Sequence, residues 1–110
     1  MSFIATQNKG FRMKFDNGFE ISVQWGVENY CEKKSFNTDI DPRKERIWES
    51  TSAEIAVFND EGMVPIGGDD QVIGWLSPDE VAKVITIVAE AVNGPEFEGE
   101  IEYKIKALRI

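Results

Sequence analysis

Hydrophobic and polar residues alternate along two segments near the start of the chain, on either side of a short polar turn. In the first segment Phe11, Met13 and Phe15 alternate with charged residues. The second segment, Phe19 to Trp25, repeats the alternation with polar residues between the apolar ones. A period of two is typical of a strand with one buried face. The pattern therefore predicts a β-hairpin in this part of the chain.

The turn of this hairpin decides which residues face each other. A two-residue turn at Asn17-Gly18 would place the apolar row of one strand on the polar face of its neighbour. A three-residue loop, Asp16-Asn17-Gly18, aligns the two apolar rows and gives Gly18 the left-handed position of a bulged turn. We therefore predict the longer loop. Its strand pairs are Phe15 with Phe19, Met13 with Ile21, and Phe11 with Val23.

A second hairpin is predicted where residues 52–58 and 63–66 flank the loop Asn59-Asp60-Glu61-Gly62. Both faces of this ribbon are apolar, so it is expected to be covered on both sides. Pro65 indicates an edge position or a bulge, because proline has no N–H to donate. The predicted pairs are Val57 with Val64, Phe58 with Met63, and Ile55 with Ile66.

The clearest helix signal follows Leu76. Ser77 can cap the helix, Pro78 suits its first position, and Glu80 can complete a capping box. Asn93-Gly94-Pro95 provides a stop signal. The sequence predicts an α-helix over residues 78–92 with one face packed on a sheet. Its apolar stripe comprises Val81, Val84, Ile85, Val88 and Val92.

The alternation of Ile101, Tyr103 and Ile105 with charged residues predicts a last strand over residues 101–107. Together these elements predict a single α+β domain, in which a twisted, mainly antiparallel sheet of two β-hairpins and a C-terminal strand carries one helix. A chain of 110 residues with 42% hydrophobic residues is the size of one domain. Residues 32–46 are charged and lack a sustained period, which predicts a long surface loop.

The negative charge of the chain, −8 in total, is unevenly distributed. Between Ile47 and Tyr103, Lys83 is the only basic residue. Such a field repels nucleic acid and anionic membranes and favours basic partners. Two interpretations stay open: an acidic surface that occupies a basic groove, as a nucleic-acid mimic does, or ordinary solubilising charge. The candidate partner-binding residues are Glu54, Asp60, Glu61, Asp69 and Asp70.

Polar and aromatic residues cluster directly after the first hairpin. Trp25 and Tyr30 could line a small-molecule pocket with specificity from Gln24 and Asn29, or the same residues could end the sheet and fill its core. A nucleophilic Cys31 would need a base or a positive field, and the chain has no histidine. A buried, structural Cys31 is therefore predicted. The candidate ligand-binding residues are Gln24, Trp25, Asn29, Tyr30 and Cys31.

Adjacent carboxylates at Asp69 and Asp70 follow two glycines and precede a predicted strand over residues 71–75. Mg²⁺ or Ca²⁺ would need several converging oxygens, and the spacing lacks the alternation of a calcium loop. We predict no metal site, no cofactor and no catalytic residue. An enzyme that uses Cys31, or a metal at these carboxylates, stays as an alternative.

Three runs, GFRMKFDNGFEISVQWGVENYC, EIAVFNDEGMVPI and GWLSPDEVAKVI, resemble a type of small open reading frame found in bacteriophages and prophages. The resemblance implies an accessory protein of a phage or mobile element, made in a bacterial cytoplasm, and brings no established activity or site residues. The absence of a long apolar run and of a signal-peptide pattern also predicts a cytosolic protein. The single cysteine agrees with this, because it cannot form an internal disulfide.

The sequence thus predicts a non-enzymatic acidic protein that docks on a host or phage protein with a basic surface, with counter-defence as one role the resemblance suggests. The alternative is a small-molecule or signalling-nucleotide binder with a pocket near Trp25, Asn29 and Tyr30. Direct binding to nucleic acid or membranes is not expected. An exposed apolar edge, or the ribbon face around Phe58 and Met63, would also allow a homodimer.

Overall fold

The computed structural model describes residues 1–6, 9–26, 29–32, 48–68 and 71–108. In this part of the chain, six strands form one antiparallel sheet that is accompanied by two α-helices, and the predicted α+β class is confirmed. The elements are β1 (Ser2–Thr6), β2 (Gly10–Lys14), β3 (Glu20–Gln24), β4 (Ala53–Asn59), β5 (Gly62–Val64), β6 (Val72–Leu76), α1 (Pro78–Glu90), a 3₁₀ turn (Pro95–Phe97) and α2 (Glu100–Ala107).

The strands lie side by side in chain order from β1 to β4, and the far edge of β4 is shared by β5 and β6. β5 pairs with the end of β4, whereas β6 pairs with its beginning. β4 therefore has neighbours on both sides along its length. Its residues Ile55 and Val57 are fully buried, as is Ile21 of the adjacent β3.

The register predicted for the first hairpin is confirmed, because Met13 pairs with Ile21 and Phe11 with Val23. The three-residue loop is also confirmed. The N–H of Phe15 donates to the carbonyl of Phe19 at 2.9 Å. Gly18 has a φ of 91°, which is the left-handed region that favours glycine.

The second hairpin is confirmed in part. Val57 pairs with Val64 and Phe58 with Met63, and the strands continue to the pair Asn59 with Gly62. The predicted pairing of Ile55 with Ile66 is wrong, because Ile55 faces Ile73 of β6. β5 ends at Val64, directly before Pro65, and β6 takes the place beside Ile55 along this edge of β4.

The predicted C-terminal strand is wrong, because residues 101–107 belong to α2. Ile101 and Ile105 are four residues apart and both are buried, whereas Tyr103 is 73% exposed. Three apolar residues at alternate positions fit a strand, but the outer two also fit one face of a helix. Ion pairs of the same helical spacing join Glu100 to Lys104 (3.3 Å) and Glu102 to Lys106 (2.7 Å).

One strand was not predicted, and some predicted features cannot be compared. β1 pairs with β2 along its whole length, with Phe3 opposite Met13. Most of the predicted charged loop over residues 32–46 lies outside the described residues, and so do Asp69 and Asp70.

The predicted start of α1 is confirmed. The Ser77 side chain accepts a hydrogen bond from the N–H of Glu80 at 3.2 Å, and a Glu80 carboxylate oxygen accepts one from the N–H of Ser77 at 2.9 Å. The pKa of Glu80 is lowered mainly by the hydrogen bond that its carboxylate accepts from the backbone N–H of Ser77. The hydrogen bond with the Ser77 hydroxyl lowers it further. The capping box is therefore held by an ionised carboxylate at neutral pH.

Valines on one face of α1 form its contact with the sheet. Val81, Val84 and Val88 are buried and belong to the same core as residues of β3 and β4. These β-branched residues have modest helix propensity, so packing rather than propensity stabilises α1. The helix ends at Glu90, and the predicted stripe residue Val92 is 56% exposed.

Asn17, in the loop of the first hairpin, binds the C-terminal end of α1. Its side-chain N–H₂ lies within hydrogen-bond distance of the carbonyls of Val88 (2.8 Å), Ala89 (3.2 Å) and Ala91 (2.9 Å). Its side-chain oxygen accepts the N–H of Phe19 at 3.0 Å. One carboxamide therefore shapes the hairpin loop and satisfies carbonyls that a helix end leaves without partners.

We expect Val84→Ala to lower the free energy of unfolding by about 2 kcal/mol, because it removes two buried carbons and leaves a cavity between α1 and the sheet. The matched control is Val92→Ala, which makes the same chemical change at an exposed position and should alter stability by at most about 0.5 kcal/mol. Urea unfolding followed by circular dichroism measures both. Equal losses would contradict the described packing of α1.

We expect Asn17→Asp to lower the free energy of unfolding by about 1–2 kcal/mol. The replacement keeps the oxygen that accepts from Phe19, but it removes the donors and places a negative charge at the negative end of the helix dipole. Thermal unfolding measures the change. Asn93→Asp serves as the control, since Asn93 donates only to the carbonyl of Asn17 among the described bonds. A loss no larger for Asn17→Asp than for the control would contradict the capping role.

Candidate functional site

The predicted ligand-binding residues lie together, and the polar side-chain groups of Gln24, Trp25 and Asn29 are hydrogen-bonded within the protein. Trp25 donates its indole N–H to the carbonyl of Trp48 at 2.7 Å, and Trp48 donates its own to the carbonyl of Trp25 at 3.2 Å. The Trp25 ring also packs edge-on against Phe11, with centroids 6.1 Å apart. Gln24 accepts from the hydroxyl of Thr6 at 2.9 Å. These contacts hold the segment that follows β3 against the sheet.

Asn29 is buried, and its side chain connects the segment after β3 to Glu54 of β4. Its side-chain oxygen accepts the N–H of Gly26 at 3.0 Å, and its N–H₂ donates to Glu54 at 3.3 Å. The second carboxylate oxygen of Glu54 accepts the N–H of Tyr30 at 3.0 Å. Glu54, a candidate partner-binding residue, is therefore part of this internal network.

Tyr30 and Cys31 differ sharply in exposure. The Tyr30 side chain is about half exposed, while its carbonyl accepts the N–H of Trp75 at 2.8 Å. Gly74 allows this approach, because a Cβ built there would lie 2.4 Å from the Cβ of Tyr30. Cys31 is fully buried, with its sulfur 3.5 Å from the carbonyl of Gly26, which confirms the predicted burial. A small-molecule pocket around these residues stays a prediction.

We expect the Cys31 thiol of the native protein to react with a chromogenic disulfide reagent at least about a hundredfold more slowly than in denatured protein, because labelling requires local opening. Absorbance of the released chromophore measures the labelling rate, and Cys31 is the single cysteine of the sequence, so the whole signal comes from its thiol. The chain in denaturant provides the control for full reactivity. Labelling of native protein at the denatured rate would contradict the burial of Cys31.

A surface groove of about 730 Å³ lies between the β4–β5 turn and the segment that joins α1 to α2. One wall is formed by residues 59–65 and the other by residues 92–99, and the groove continues to Ile101 and Glu102. Phe19, directly before β3, also lines the groove. We call this feature the acidic groove.

Exposed apolar side chains line the acidic groove beside the buried core. Met63 and Phe97 are each 36% exposed and lie on opposite walls, and Val92 is more exposed than either. Phe19 and Ile101 are buried and connect the groove to the core of the protein. The groove therefore offers apolar surface that water contacts in the isolated protein.

Carboxylates surround this apolar surface. Asp60 and Glu61 stand on one wall and Glu98 on the other, whereas Glu102 is paired with Lys106 at 2.7 Å. None of the described residues that line the groove is Lys or Arg. Two of the candidate partner-binding residues, Asp60 and Glu61, are thus brought to the groove.

Local turns hold both walls in place. The side-chain oxygen of Asn59 accepts the N–H of Glu61 at 2.8 Å, which fixes the β4–β5 turn. On the opposite wall, Asn93 donates to the carbonyl of Asn17 at 3.2 Å. Gly99, with a φ of 84°, then allows the chain to turn into α2. Each wall is therefore supported by a hydrogen bond between an asparagine side chain and the backbone.

The sequence did not predict the groove, because one of its walls, residues 92–99, precedes a segment that was predicted to be a strand, residues 101–107. The spacing of Ile101 and Ile105, together with the ion pairs four residues apart, was the signal that could have identified α2. A helix at this position folds the 92–99 segment back toward the β4–β5 turn. The candidate residues Asp69 and Asp70 lie outside the described part of the chain.

Compared with known proteins, the chain matches no family model, no curated protein and no solved structure. Within the described residues, no three or more acidic or cysteine side chains are grouped so that they could hold a metal ion. No helix in the same residues has the length and apolar character needed to cross a membrane.

Proposed function

We propose that the protein is a non-enzymatic binding protein whose acidic groove docks a basic segment of another protein. The observation that carries the proposal is the composition of the groove, in which exposed apolar side chains are bordered by Asp60, Glu61 and Glu98 with no basic residue among the described lining. A partner segment with Lys or Arg beside one or two apolar residues matches both properties. The apolar contact would supply affinity, while the charges would supply orientation and a faster encounter.

The geometry of the groove favours a protein segment over a flat surface. Two separate segments of the chain, residues 59–65 and 92–99, line the groove, and each segment contributes carboxylates to the lining. A side chain such as Leu or Phe can enter between Met63 and Phe97, where it removes apolar surface from water. Neighbouring basic side chains then reach the rims. This arrangement supports an extended or helical peptide as the ligand.

The charge of the whole chain supports the same partner class. With a net charge of −8, the protein attracts basic surfaces before contact and repels anionic ones. The resemblance of the sequence to bacteriophage and prophage reading frames suggests a bacterial host protein as the source of the basic segment. A counter-defence role and a cytoplasmic location form part of this proposal.

We expect peptides with alternating Lys and Leu or Phe residues to bind, and peptides with Glu in place of Lys not to bind. Fluorescence anisotropy of labelled peptides measures affinity, and higher salt should weaken it because the rim charges are exposed. Amide chemical shifts should change at residues 59–65 and 92–102. No difference between the basic and acidic peptides would overturn the proposal.

A matched pair of double variants tests where the peptide binds. Asp60→Asn/Glu98→Gln removes one carboxylate from each wall, and Asp79→Asn/Glu49→Gln removes the same charges elsewhere on the surface. We expect the first to weaken binding by about tenfold and the second by less than about twofold. Equal weakening would show that total charge, rather than the groove, attracts the peptide. In that case the proposed site is wrong.

The apolar part of the proposal has its own control. Phe97→Ala should weaken peptide binding by about tenfold, because it removes a side chain that contacts the ligand. Tyr103→Ala makes a similar truncation at an exposed position on α2, outside the lining of the groove. We expect no change in affinity from the second variant.

Purification from bacterial lysate with both double variants would then identify a natural partner. The partner is a protein that binds the wild-type chain and the surface control Asp79→Asn/Glu49→Gln but does not bind the groove variant Asp60→Asn/Glu98→Gln.

A further inference from the structure

The outer edges of the sheet differ in how they are protected against pairing with another strand. On the edge that β5 and β6 share, the N–H of Trp75 in β6 donates to the carbonyl of Tyr30 at 2.8 Å. β5 has only three residues, is followed by Pro65 and carries Asp60 and Glu61 at its turn. Short length, proline and charge are the devices by which proteins blunt a sheet edge. β1 has five residues, Ser2–Thr6, with no charged residue and no proline. Its only neighbour in the described sheet is β2.

The pairing of β1 with β2 determines which backbone groups point outward. The N–H of Phe15 donates to Phe19 across the first hairpin, so the odd-numbered residues of β2 bond to β3. The even-numbered residues of β2 therefore bond to β1, and their partners there are also even-numbered. The N–H and C=O groups of Phe3 and Ala5 consequently point away from β2. They form an open row at the edge.

We propose that a second copy of this chain pairs with β1, antiparallel and centred on Ile4, to join the two sheets into one. This register places Phe3 of each copy opposite Ala5 of the other. Each such pair exchanges two N–H···O=C bonds. All the outward groups of Phe3 and Ala5 are then bonded, and the arrangement is two-fold symmetric, as expected for a homodimer.

The side chains of β1 are complementary to themselves in this register. The large Phe3 meets the small Ala5, so the row has space for both rings. Ser2 meets Thr6, and two hydroxyl residues can form a cross-strand hydrogen bond. The central pair is Ile4 with its own copy, two β-branched side chains that suit a strand. This self-complementarity is the reason to propose a second copy rather than an unrelated strand.

Burial and charge both favour the same edge. Phe3 is 79% exposed, and it lies on the same sheet face as Met13, next to the core. Pairing would make the apolar rows of the two copies continuous. β1 and β2 contain no acidic residue and β2 carries Arg12 and Lys14, so the charge of these two strands does not add to the repulsion between two acidic chains, which salt also screens.

Sedimentation velocity of the full chain, from micromolar to millimolar concentration in physiological salt, tests the proposal. We expect a reversible monomer–dimer equilibrium. Phe3→Lys should raise its dissociation constant at least about tenfold, because a charge on the edge opposes pairing. Tyr103→Lys is the matched control: it replaces another exposed aromatic residue with the same charge, on α2, and should change the constant by less than about twofold.

Ala5→Pro tests the backbone bonds directly. It removes an N–H that points away from β2, so the chain should still fold, and circular dichroism checks this. We expect it to abolish the dimer. A monomer at every concentration would overturn the proposal, and so would a dimer that Phe3→Lys leaves intact. If Phe3→Lys breaks the dimer and a folded Ala5→Pro does not, the apolar face rather than the strand edge forms the contact, and the proposal is wrong.

Discussion

The packing of α1 on β3 and β4 is the contact on which the rest of the structure depends. A helix is about 10 Å wide and neighbouring strands lie about 4.8 Å apart, so one helix covers about two strands. Val81, Val84 and Val88 use this contact to bury the centre of the sheet. Strands further from α1 have to be covered by other parts of the protein or remain exposed. Both proposed binding surfaces lie where this cover ends.

The acidic groove follows from the way α1 ends. Asn17 binds the last carbonyls of the helix, so the chain leaves α1 beside the first hairpin and near the β4–β5 turn. α2 then packs against α1, with Ile101 and Ile105 in the core. Between these two anchors the 92–99 segment crosses above the turn without filling the space beneath it. The groove is thus a consequence of two fixed helix ends rather than of a separate structural element.

The sequence was most informative where a local pattern had only one solution. The alternating apolar and polar residues of the first hairpin exclude the two-residue turn. Ser77 and Glu80 have the spacing of a capping box, which is typical of the start of a helix. The segment from Ile101 to Ile105 was ambiguous, because its apolar spacing fits both a strand and one face of a helix. The groove could not be predicted, since residues 59–65 and 92–102 meet only after α1 and α2 have packed.

A dimer through β1 would change what the acidic groove can do. Because Phe3 pairs with Ala5 on the same face, the two-fold axis is perpendicular to the joined sheet, and the two grooves lie at diagonally opposite corners. A partner with two basic segments, or a symmetric partner, could then occupy both grooves. The second contact would form at a high effective concentration, so weak binding at each groove would become strong binding overall. Pairing through the uncharged edge of β1 would therefore strengthen binding to a natural partner that is itself repeated or dimeric.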